Sequence, residues 1–168
     1  MENILAKNQI KVEIKDLSFV EQVFIWGLRM KIRGDQYFAK VTAHCEKNLS
    51  PSAARIALNS INMVINSVRN HGTRSLTLNC TCRPRLSADE WLLIILFRST
   101  TDDPMQPNIH DVKIIITEEG NESLVHAILS FQMAVGTMDI STSKSLNQGL
   151  VAQQREHAGP RPISKMIH

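Results

Sequence analysis

Glycine is scarce in this chain, at 7 of 168 residues, and aromatic residues reach only 5%. So few glycines cannot supply the many tight turns of a barrel or sandwich, because average usage is about 7%. The balance tips towards helices. Cysteine occurs 3 times, too seldom for a disulfide-stapled secreted module. The longest unbroken apolar run, Trp91 to Phe97, falls well short of the roughly 18 residues that a membrane span requires. Met1 to Lys15 has neither the apolar core nor the small-residue cleavage site of a signal peptide, so a cytoplasmic location is expected. What the chain does have is aliphatic bulk. Hydrophobic residues make up 43% and charged residues 21%, which suits one globular domain with a real core and excludes disorder.

Phosphate cradles are also missing, since the seven glycines are isolated and build neither a P-loop nor a dinucleotide fingerprint. No G-x-S-x-G elbow or H-E-x-x-H motif is present, and the histidines are scattered. Nothing in the motifs argues for an enzyme. His126, inside an apolar helical pattern, is expected to be a hydrogen-bonded core or boundary residue.

Helix signals are clear. Ser87-Ala88-Asp89-Glu90 is a capping box flanked by the staple pair Leu86 and Trp91, and it opens a helix apolar on every face that should form the centre of the core. A second box, Ser18-Phe19-Val20-Glu21, opens a helix to Arg33, where Arg29, Lys31 and Arg33 suit the C-terminal dipole. Gly34 ends it, and Asp35 is expected to cap a shorter helix to about Lys47. Ser50-Pro51 launches a long helix to Asn70, with Ala54, Ala57, Leu58, Ile61, Val64, Ile65 and Val68 in one stripe. Another helix is expected from Glu122 to Val135. The chain therefore reads as a mainly α, single compact domain of five to six helices over residues 17–136, after an N-terminal arm (1–16) and before a flexible tail (137–168).

From Arg74 to Arg83 the period changes to two, which predicts an extended Cys-x-Cys segment. Residues 109–117 are ambiguous, and their β-branched run could pair with 74–83 to give a small two-stranded element in an α+β alternative.

Charge carries the functional direction. Residues 1–100 hold 14 Lys and Arg against 8 Asp and Glu, a balance of +6, whereas residues 101–168 hold 5 against 8, a balance of −3. No acid occurs between Glu46 and Asp89. Within that stretch Arg55, Arg69, Arg74, Arg83 and Arg85 would form a basic surface attracting an acidic protein or a nucleic acid. A helix-turn-helix reading would have Gln36, Lys40 and His44 reading bases, but these positions are better explained as the polar face of an amphipathic helix.

Cys80-Thr81-Cys82 is the other chemical candidate. In an extended segment both thiols point one way, so with His71, and with His44 or Cys45, they could hold zinc; Arg83 and Arg85 would alternatively favour a reactive thiolate. In a reducing compartment the cysteines should be free thiols or ligands before they are a disulfide. The function expected is a non-enzymatic interaction or regulatory module, the alternative being a thiol- or metal-dependent regulator or enzyme centred on Cys80 and Cys82.

Phe24-Ile25-Trp26-Gly27-Leu28-Arg29, Cys80-Thr81-Cys82 and Leu86-Ser87-Ala88-Asp89-Glu90 together resemble a group of small all-helical bacterial proteins. The resemblance spans roughly the first 100 residues, implies helices, and brings no activity with it.

Overall fold

The computed structural model describes residues 11–102 and 113–136. Five α-helices make up its body: α1 (Phe19–Arg33), α2 (Asp35–Asn48), α3 (Pro51–His71), α4 (Ala88–Asp102) and α5 (Glu118–Val135). Among the described residues no strand forms. There are only two isolated antiparallel bridges, Glu13 with Arg85 and Gly72 with Ile116. The two-stranded alternative is therefore replaced by a helical fold: residues 74–83 are irregular, and 113–115 are helical. Residues 109–112 and the expected tail, 137–168, lie outside the described residues, as do 1–10 of the expected arm.

The caps explain where the helices start. Ser18 and Glu21 close their box reciprocally, with Glu21 accepting from the Ser18 amide at 2.7 Å. Ser50 accepts from the Ala53 amide ahead of Pro51. Asp35 does not cap α2; Gly34 does, at φ 121°, a left-handed value open to glycine, and the Asp35 carboxylate instead takes Lys31 Nζ. α5 begins a turn earlier than the pattern indicated, at Glu118, behind Thr117.

α4 buries Leu93, Ile94 and Leu96 at 1% exposure or less, but Trp91 and Ile95 are only partly buried, so the helix is not wrapped on every face as expected; it packs mainly against α1 and α5. Phe24, Phe97 and Phe131 meet there with ring centroids 5.0 to 6.4 Å apart, so the few aromatics concentrate at one node. α3 and α5 run antiparallel. Thr117 N–H donates to the His71 carbonyl at one end, and the Ser67 and Ser123 hydroxyls pair farther along. Ser60 and Ser67 on α3, with Gly120, Ala127 and Ala134 on α5, are buried at seven-residue spacing. Small side chains at that spacing let helices approach closely. A Cβ on Gly120 would overlap the His71 Cβ, which states how close. Gly27 serves the α1–α3 crossing in the same way, against the tip of Ile61.

The described part of the expected arm is hydrogen-bonded to the loop before α4. Ile14 N–H donates to the Pro84 carbonyl at 2.7 Å and Leu86 N–H to the Val12 carbonyl at 3.1 Å, so residues 12–17 belong to the domain. Among the described residues no helix is long and apolar enough to cross a membrane.

Candidate functional site

The basic loop joining α3 to α4, residues 72–87, is organised by Arg29, a side chain that the sequence pattern marks only as a cation near a helix C-terminus. Arg29 sits on α1 at 1% exposure, facing Glu90 of α4 at 0%. Its Nε and Nη2 grip the two carboxylate oxygens at 2.7 and 2.8 Å. The remaining donors reach the loop backbone: Nη1 to the carbonyls of Cys80 and Arg83, and Nη2 to that of Arg85. A guanidinium has five N–H donors, and all are used.

Glu90 is equally saturated. Besides Arg29 it accepts the amides of Ser87, closing the expected capping box, and of Asn79. A buried ion pair repays desolvation only when such further hydrogen bonds are made, and here they are. Asp89 adds a second anchor, accepting from Arg74 and from the Thr77 amide. Burial opposes ionisation of Asp89, yet those hydrogen bonds win and hold its carboxyl below the usual carboxylate range. Two acids at the start of α4 thus tie down a loop without secondary structure.

The expected site residues divide. Arg74, Arg83 and Arg85 share this loop and are exposed. Arg74 is paired with Asp89, whereas Arg83 and Arg85 make no ion pair among the described residues. Arg69 lies beside the loop, on the rim of an apolar cleft of about 160 Å³ formed with Ile32, Val64, Val68, Leu76 and Leu78. Arg55 is remote. Fourteen residues along α3 place it about 21 Å from Arg69 at 1.5 Å per residue, in a different groove with Glu46 and Asn62. The five arginines are therefore not one surface: Arg74, Arg83 and Arg85 share the loop, Arg69 lies beside it, and Arg55 is apart.

Cys80 and Cys82 are exposed and joined as a disulfide, with Cα atoms 5.3 Å apart. The extended segment expected there instead turns, Arg83 N–H donating to the Cys80 carbonyl at 3.0 Å, and the turn brings the sulfurs together. Both sulfurs of the proposed zinc site are thereby bonded to each other. His71 packs its Cβ towards Gly120, and among the described residues no three His, Cys, Asp or Glu side chains converge for a metal. Cys45 is buried in α2 with its thiol pushed up to about 11 by burial and by Glu46. His44 is half-buried against Trp26, with its pKa lowered by burial and Lys47, so it is not displayed for base reading. His126 is exposed, contrary to the core or boundary position expected.

A third concavity, about 650 Å³, lies between the start of α3 and the end of α5, where Ile56 and Met133 are 45% and 77% exposed. None of its lining residues is charged. The role of Arg29 as the loop's anchor is the feature that local sequence pattern does not carry. Its signal was a cation inside the apolar run Phe24 to Met30, on a helix that opens with a buried face. No protein-family model matches this chain, and neither a curated protein nor a solved structure matches it.

Proposed function

We propose that this is a cytoplasmic, non-enzymatic binding module that engages an acidic segment of a partner protein through Arg69, Arg74, Arg83 and Arg85. One observation carries the reading: Arg83 and Arg85 project from a loop whose backbone is already held by Arg29, so binding orders little and costs little entropy. The neighbouring apolar cleft favours a protein over a nucleic acid. At about 160 Å³ it matches the roughly 150 Å³ cavity that accommodates a benzene ring, so one aliphatic side chain fits beside Arg69. Phosphate backbones offer no such group.

The test uses a labelled acidic peptide carrying leucine and isoleucine, with a duplex DNA of equal charge as comparison. Arg83→Glu with Arg85→Glu should weaken peptide binding roughly tenfold or more, about 1.4 kcal/mol. Arg55→Glu should leave it unchanged. Tighter binding of the DNA, with affinity falling steeply between about 50 and 200 mM salt, would assign the surface to nucleic acid instead.

A further inference from the structure

We propose that Cys80 and Cys82 form a reversible dithiol–disulfide couple that accepts electrons from a dithiol partner, an activity independent of the acidic-partner reading. Both cysteines are exposed, and the bond closes a loop with a sequence separation of 2. Loop-closure stabilisation grows with the length of the loop, so this bond gains the least from that source. The surrounding backbone does not need it. Arg29 holds the carbonyls of Cys80, Arg83 and Arg85, Glu90 holds the Asn79 amide, and Asp89 holds the Thr77 amide. The loop therefore keeps its place when the bond opens. Exposed disulfides that contribute little to the fold are the labile ones, and in a reducing compartment such bonds are redox-active before they are structural.

The direction of attack follows from charge. Arg83 directly follows Cys82, and a neighbouring cation stabilises a thiolate. A thiolate of the partner attacks Cys80 Sγ, the Cys80–Cys82 bond breaks, and its electron pair leaves on Cys82, which then takes a proton from water. The partner's second thiolate attacks the partner sulfur of the mixed disulfide and expels Cys80 as thiolate, which is protonated in turn. The partner ends as a disulfide and this chain as a dithiol, with the two protons of the partner's thiols conserved. Cys45 takes no part, since it is buried.

The experiment places the full-length oxidised chain in millimolar reduced glutathione, quenches with an alkylating agent and maps the adducts by mass spectrometry. The expected result is alkylation of Cys80 and Cys82 together in most chains, a transient glutathione adduct on Cys80, and no label on Cys45 until denaturation. The pair should close again in oxidised glutathione. A Cys80→Ser, Cys82→Ser chain should melt within a few degrees of the wild type. A disulfide that survives reduced glutathione in the folded chain, thiols that fail to pair in oxidised glutathione, or a double variant that unfolds would each overturn the proposal. An adduct confined to Cys82 would overturn the direction of attack.

Discussion

Between α3 and α5 the contact surface is small-featured and almost chargeless, with Ser60 and Ser67 facing a helix that carries Gly120, Ala127 and Ala134. Between the 72–87 loop and the α1–α4 pair, the contact is made by charges: Arg29, Glu90, Asp89 and Arg74. Helices satisfy their own backbone and need only shape to pack. A loop does not, and its carbonyls and amides must find partners from elsewhere. Arg29 meets three carbonyls of that loop while Glu90 and Asp89 meet three amides, those of Asn79, Ser87 and Thr77. The polar region is thus specified by hydrogen-bond count, the apolar one by volume, and the two should fail differently.

Removing one partner of the buried pair is the harshest way to break the polar side. Glu90→Gln leaves a buried guanidinium uncompensated and should cost about 3–5 kcal/mol, lowering the melting temperature by roughly 10 °C. Buried pairs can often be replaced together by apolar residues at no cost, but Arg29→Met with Glu90→Leu should not recover stability here. The loop carbonyls and amides would still lack partners. A double variant as stable as the wild type in a thermal melt would show that the loop does not depend on this saturation. On the apolar side the matching change is Gly120→Ala. Its methyl meets the His71 Cβ, which moves only with the α3 backbone, so overpacking of about 1–3 kcal/mol is expected. Gly27→Ala meets only the tip of Ile61 and should cost clearly less. Equal losses at the two glycines, measured by denaturant unfolding, would remove the claim that α3 and α5 are the more tightly shaped pair.

The same contrast explains what could be read in advance. Helix starts were legible because Ser18, Ser50 and Ser87 cap within their own sequence neighbourhood, and the α3 stripe follows from a 3.6-residue period. Arg29 was read as a favourable C-terminal cation because its partners lie 51 to 61 residues away, beyond any local pattern. For the candidate site, Arg74, Arg83 and Arg85 share a loop because they are neighbours in sequence, whereas the absence of acids that groups Arg55 with them says nothing of distance in space. The α3 helix separates it. The Cys-x-Cys segment looked extended because its alternation is that of a strand, yet no neighbouring strand exists among the described residues to hold it flat.

Acid should weaken the charged region before the apolar one. Burial disfavours the ionised forms of Glu21 and Asp89, but Arg98 and Ser18 around the first, and Arg74 and Thr77 around the second, hold both carboxyls below their ordinary values of 4.5 and 3.8. A carboxyl lowered on folding contributes stability that is fully present above its unfolded pKa and is lost as pH falls through the folded one. The melting temperature should therefore decline from about pH 4.5 downward. Asp89→Asn should be less stable at neutral pH and lose less over that range. A variant whose melting curve falls in parallel with the wild type would show that Asp89 contributes nothing to the acid response.

The smallest stability effect is expected at the residues proposed to matter most for binding. Arg83 and Arg85 give their backbone carbonyls to Arg29, while their side chains are exposed and make no ion pair among the described residues. A change to either side chain leaves the carbonyl in place, so Arg83→Glu with Arg85→Glu should alter unfolding free energy by no more than about 0.5 kcal/mol, the usual range for surface positions. The partner surface would then be separable from the scaffold: one arginine, Arg29, that cannot change without collapse of the loop, and two that can change freely except for what they bind. If reversing both charges destabilises the chain by as much as Gly120→Ala does, these arginines are part of the loop's own support, and the division between a saturated interior and a free basic rim is lost.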